Sequence, residues 1–171
     1  MKVGRKMKKF LVNIILLLLV LIIQLILPPD FIFSGVKPDL LLILTVIIGL
    51  YWGIYDGMGF AFLAGIVQGV FLGGGAIIYI VVKTLSGGLA GFIEKLYFKE
   101  KIIFPSIIIF VLTFLHETLV ILLSETMLFN INYFRALRLI ILPEAILNAI
   151  IALFIYYLYH RYWQGRRDIY G

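Results

Sequence analysis

Seven polar residues stand inside otherwise apolar stretches: Asp39, Gln68, Lys83, His116, Glu117, Glu144 and Asn148. Ionisable groups in a bilayer are costly, so each is a candidate for function or for fixing helix register. Three chemistries are open to such a set. One is a buried ion-pair and hydrogen-bond network, with Lys83 opposite Glu117 or Glu144. The second is a small-molecule pocket open to one side of the membrane. The third is a recognition surface for a partner's membrane helix. Glu144 and Asn148 are four apart and share a helical face. Pro143 just before them kinks or restarts its helix. Asp39 follows Pro38, which suits a helix start, so a capping role alone explains it. Catalysis finds little support. His116 beside Glu117 resembles a fragment of a metal motif, but no second histidine lies at ligand spacing, and His160 is far along the chain. Neither a G-x-S-x-G nucleophile motif nor a phosphate-binding glycine loop occurs. The sequence therefore predicts no catalytic, cofactor-binding or metal residue, and no enzyme.

The elements that carry these residues follow from composition. Of the 171 residues, 63% are hydrophobic and 14% charged, against about 45–50% and about 25% in ordinary globular domains. The expected class is an all-α integral membrane protein, a single domain over 1–171. A crossing needs about 20 apolar residues. Six candidate spans follow, at 10–27, 38–52, 57–72, 76–98, 102–123 and 139–159. The second and third are short and closely joined. Lysine and arginine set the orientation. With both termini cytoplasmic, eleven lie on inner segments (Lys2, Arg5, Lys6, Lys8, Lys9, Lys95, Lys99, Lys101, Arg161, Arg166 and Arg167). Three (Lys37, Arg135 and Arg138) lie on outer ones, and Lys83 is within a span. The first apolar run is longer than a signal-peptide core and ends in Leu27-Pro-Pro29, so it is read as a retained anchor. The net charge of +6 then serves topology and lipid headgroups, and no nucleic-acid partner is expected. Threaded this way, all seven polar residues fall in the outer leaflet.

Small residues recur at helical spacing. Gly57, Ala61, Gly65, Gly69 and Gly73 line one face of the third span, and Gly87 and Gly91 one face of the fourth. Such faces let helix backbones approach closely where lipid provides no hydrophobic drive. They fit packing of spans three and four against each other, or a docking face for another protein. Gly73-Gly-Gly75 reads as a tight turn between them.

Several segments resemble a known family. Lys37-Pro-Asp-Leu-Leu-Leu-Ile43, Gly59-Phe-Ala-Phe-Leu-Ala-Gly-Ile-Val-Gln68, Lys83-Thr-Leu-Ser-Gly-Gly-Leu-Ala-Gly91 and Pro143-Glu-Ala-Ile-Leu-Asn148 are similar, in order and spacing, to motifs of the bacterial rod shape-determining protein MreD family. Gly69 departs from the pattern, where the family often has an acid. The resemblance implies a non-enzymatic inner-membrane scaffold of the cell-wall elongation machinery. It also implies an MreC-like single-span partner and, indirectly, MreB, RodA and a class B penicillin-binding protein. A homodimer is a further option, and no cofactor is implied. The family's architecture is similar to the substrate-binding S-components of energy-coupling-factor transporters, which makes a vitamin-binding subunit the alternative. Those proteins carry Ala-x-x-x-Ala in the first span. Here Asn13–Gln24 holds no alanine or glycine, which favours the scaffold.

Overall fold

The structure, a computed structural model, describes residues 2–28, 35–72, 76–94, 103–125 and 132–167. These form α1 (Lys2–Ile26), α2 (Leu40–Trp52), α3 (Ile54–Leu72), α4 (Ala76–Ile93), α5 (Ile103–Glu125), α6 (Tyr133–Ala136) and α7 (Leu142–Arg167). One π-helical turn, Leu137–Ile141, joins α6 to α7, so the last three segments run on as a single rod. No strand occurs among the described residues, and the expected all-helical membrane class holds. Stretches within α3, α5 and the α6–α7 rod are long and apolar enough to cross a bilayer, at Ile54–Phe71, Ile103–Ser124 and Tyr133–Tyr157. The remaining apolar helices, Leu11–Ile26, Leu40–Trp52 and Ile77–Ile93, are shorter. Helix α4 is described to Ile93, and residues 95–98, the end of the expected fourth span, lie outside the described residues. The last helix starts earlier and ends later than the expected 139–159. Gly73 and the Gly73–Gly75 turn also fall outside the described residues, as do Lys95, Lys99 and Lys101.

Helix α2 is the axis of the bundle. Its sequence, LLLILTVIIGLYW, is apolar on every face, as expected of a helix surrounded by protein. It touches α1, α3, α4, α5 and α7, and Leu41, Leu42, Ile43, Val46, Ile48 and Leu50 are all buried. At 13 residues it is about 20 Å long, short of the roughly 30 Å hydrocarbon core. The other helices each also carry large apolar side chains on the outside. Ile15, Val70, Ile77, Phe92, Ile107 and Phe154 are each more than half exposed. A belt of that kind is stable against lipid tails and costly in water.

The α2–α3–α4 contact is made by backbone meeting backbone. A Cβ on Gly57 would sit 2.5 Å from the Gly87 carbonyl oxygen and 2.8 Å from the Gly49 Cα, and one on Gly65 would sit 2.7 Å from the Ile80 Cα. A Cβ on Gly87 would run into the Gly57 carbonyl and the Ala61 Cβ, and one on Gly91 into the backbone of Ile54. Gly57, Ala61 and Gly65 of the third span therefore lie against α4, with Gly57 and Ala61 meeting Gly87, in line with the packing alternative. Gly49 of α2 is a third member that the spacing pattern did not reveal. Between α2 and α3 the chain reverses through the single residue Gly53, whose φ of +86° favours glycine.

These contacts rank the glycines. Gly87→Val should overpack the α3–α4 seam and cost about 1–3 kcal/mol, seen as a lower melting temperature in detergent. Gly59→Ala, whose Cβ meets nothing within 4 Å, should be neutral or stabilise by up to about 1 kcal/mol through helix propensity. Equal losses in the two variants would contradict the packing described.

Candidate functional site

The site begins at the N-terminus of α2. A helix start leaves its first backbone N–H groups without partners, and a start buried among other helices cannot leave them to water. Asp39 solves this locally: its Oδ1 accepts from the Leu42 N–H at 2.8 Å. The Gln24 Oε1, from the end of α1, accepts from the Leu41 N–H at 3.2 Å. The expected cap is therefore present, but the cap is only part of the role. Asp39 is 4% exposed, so its charge needs a partner.

That partner is Lys83. Its Nζ lies 2.6 Å from the Asp39 Oδ2, and both side chains are buried. The ammonium thus pairs with the carboxylate of α2, not with Glu117 or Glu144 as the sequence suggested. The long side chain of Lys83, midway along α4, reaches the cap 44 positions earlier. The Gln68 Nε2 of α3 donates to the same Oδ2 at 3.2 Å. The Asp39 backbone N–H donates to the Asn148 Oδ1 of α7 at 3.0 Å. The Asn148 Nδ2 donates in turn to the Thr113 Oγ1 of α5 at 3.3 Å. One residue, directly or through one intermediary, therefore connects α2, α3, α4, α5 and α7. Thr113 was not foreseen, although it sits three residues before His116 on the same face of α5.

The other carboxylates surround this pair. His116 is fully buried, and its Nδ1 lies 3.0 Å from the Glu117 Oε1. The His116 Nε2 is buried with no hydrogen-bond partner. Glu144 is buried at the start of α7, within electrostatic reach of Glu117, Asp39 and Lys83. Tyr79 of α4 is within reach of Glu117, Asp39 and Glu144. Pro143, beside Glu144, lacks an N–H, and the π-helical turn just before it absorbs the lost bond, with the Leu142 N–H donating to the Leu137 carbonyl. All seven polar residues singled out in the sequence lie at one end of the bundle, and the structure draws Asp39, Gln68, Lys83 and Asn148 into direct contact. Aromatic residues mark the opposite end, where the rings of Tyr51 and Tyr156 stack at 6.2 Å. The glycines form a separate feature, the seam beneath the cluster. What the arrangement does chemically is to hold charge and register inside a closed core.

The bonds predict an order of importance. Lys83→Met leaves a buried carboxylate unpaired and should cost about 3–5 kcal/mol. Asn148→Leu orphans the Asp39 N–H and should cost about 1–2 kcal/mol, and Gln68→Leu about 0.6 kcal/mol. Thermal melts of the three variants in one detergent check the ranking. Gln68→Leu as the most damaging change would contradict it.

Comparison with known proteins agrees with the resemblance carried by the motifs. No curated protein and no solved structure matches the chain. The family model for the rod shape-determining protein MreD matches residues 4–165. That match covers all but the first two residues of α1 and the last two of α7, and every residue of the cluster, including Pro38-Asp39, Lys83 and the Pro143–Asn148 segment. On that evidence the chain belongs to the MreD family of rod shape-determining proteins.

Proposed function

We propose that this protein is a non-enzymatic scaffold of the bacterial inner membrane that holds an MreC-like single-span partner within the cell-wall elongation machinery. Membership of a shape-determining family supports the role. The observation that carries the mechanism is the Asp39-centred cluster, which ties five helices into one body. A body tied this way presents its outer surfaces in a constant relation to each other, which is what a positioning subunit requires.

The orientation that goes with this reading places both termini in the cytoplasm and all six helices across the bilayer. The start of α1 and the end of α7, with their lysines and arginines, belong to the end opposite the polar cluster. The positive-inside rule then sets the cluster toward the outer leaflet, nearest an extracytoplasmic partner domain. Short α2 covers only part of that thickness, and its N-terminus stops inside the protein, where it is capped by Asp39. The partner in turn connects the scaffold to MreB, RodA and a class B penicillin-binding protein. Self-association into a homodimer is compatible with the same apolar belt.

The vitamin-binding alternative requires the cluster to be a vacant pocket. Instead Asp39, Lys83 and Asn148 are fully or almost fully buried, with Lys83 and Asn148 both bonded to Asp39, which favours a centre filled by the protein's own side chains. Affinity purification from native membrane in mild detergent separates the two readings. Recovery of an MreC-like protein with wall-synthesis enzymes is the expected result. Recovery of transporter ATPase subunits with a bound vitamin would overturn the proposal.

A further inference from the structure

We propose that a cleft between α1 and α3 is a binding site for one phospholipid whose headgroup ends in a primary amine, the ethanolamine class. The cleft has a volume of about 170 Å3 and is lined by Asn13, Ile14 and Leu17 of α1 and by Asp56, Gly59 and Phe60 of α3. It lies at the aromatic end of the bundle, opposite the polar cluster. Asp56 is in the first turn of α3, just after Tyr51 and Trp52, and Tyr55 beside it is 90% exposed. Tyrosine and tryptophan in such a position mark the headgroup level of a bilayer. Beyond Leu17 and Phe60, α1 and α3 close on α2 around one apolar cluster. The opening on α1 is therefore Asn13–Leu17, about 6 Å of helical rise. That is too short to seat a crossing partner helix, which is about 10–12 Å across and about 20 residues long. The volume is also below the roughly 300–1,000 Å3 of sites that enclose a whole drug-sized molecule. Such a cleft seats one end of a ligand and leaves the rest outside, as a phospholipid requires.

The lining sets the headgroup chemistry. The apolar run Phe10–Ile26 contains two polar residues, Asn13 and Gln24. Gln24 is used, its Oε1 accepting from the Leu41 N–H. The Asn13 Oδ1 is buried and has no donor within the protein. An acceptor in an apolar setting is costly until a donor reaches it. Asp56 brings a carboxylate to the same cleft. It has contacts of its own within the protein, but a carboxylate offers about four lone-pair sites and can accept from a ligand as well. The remaining walls are apolar, and a Cβ built on Gly59 would meet nothing within 4 Å, so there is room for the glycerol end and the first methylenes. A primary ammonium carries one positive charge and three N–H donors, which answers both the carboxylate and the unpartnered amide oxygen. A choline headgroup has the same charge but no N–H. A headgroup of net negative charge without an amine, such as phosphoglycerol, meets the Asp56 charge unfavourably.

The test is native mass spectrometry of the full chain, delipidated in detergent and titrated with phospholipids of one acyl composition. The headgroups are ethanolamine, its N-methyl and N,N-dimethyl forms, choline and glycerol. One ethanolamine lipid per chain should be retained, at least about tenfold more tightly than the choline or glycerol lipid. The methylated forms should keep binding until the last N–H is lost. Asn13→Leu removes the acceptor and Gly59→Leu fills the cleft. Each should reduce the ethanolamine lipid to the level of choline, while the melting temperature without added lipid stays the same or rises. The methyl series needs only the wild-type chain, so it decides the matter even if a variant fails to fold. A photoreactive residue at position 59 in native membrane should attach to phospholipid. Equal retention of ethanolamine and choline lipids, a preference for glycerol, selectivity that survives both variants, or attachment from position 59 to another protein would each overturn the proposal.

Discussion

A charged pair at the buried end of a short helix is the constraint around which this bundle is organised. Helix α2 is too short to reach across a bilayer, so its N-terminus stops among other helices rather than at water. The open N–H groups there require an acceptor, and Asp39 supplies it. Burying a carboxylate creates a second requirement, a cation, and Lys83 meets it from α4. Asn148 and Gln68 then satisfy what remains of Asp39. Each bond exists because the previous one placed a polar group where water is excluded. Removing any one member leaves another unsatisfied in low dielectric, which is why such networks hold a single register or fail together.

The glycine seam makes the pair geometrically attainable. Gly49, Gly57 and Gly87 bring α2, α3 and α4 into backbone contact. At that spacing the Lys83 side chain reaches the α2 cap while fully buried in the protein. Bulkier residues along the seam would move α4 outward and lengthen a contact of 2.6 Å. The apolar packing and the polar cluster are therefore one device: the seam sets the distance and the ion pair sets the register. In the scaffold proposed here that rigidity has a use, since a partner helix on the apolar belt is positioned only as well as the belt itself.

Much of this was legible in the residues before the fold. Long apolar runs announced helices, and the i, i+4 repeat of small residues from Gly57 announced a close contact. Depth was legible too. Asp39, Gln68, Lys83, His116, Glu117, Glu144 and Asn148 were placed in one layer by counting from the span ends, and they lie at one end of the bundle. What was not legible was rotation about each helix axis. Depth alone suggested Glu117 or Glu144 as the partner of Lys83, and the packing of α2 against α4 decides for Asp39 instead. Thr113 and Gln24 escaped notice because a threonine or glutamine in an apolar run carries no pattern until its neighbour is known. Gly49 escaped because it is alone in α2, without a periodic partner.

The most direct test of the account is a double-mutant cycle on Asp39 and Lys83, using Asp39→Asn and Lys83→Met singly and together, read as unfolding free energy in one lipid or detergent system. Asn at position 39 keeps an oxygen for the Leu42 N–H, so the cycle isolates the charge pair from the cap. The account predicts strong coupling, with the double variant more stable than the sum of the single losses allows by about 1–3 kcal/mol. Losses that simply add would show that the pair does not act as a unit, and the organising role given to it here would be wrong.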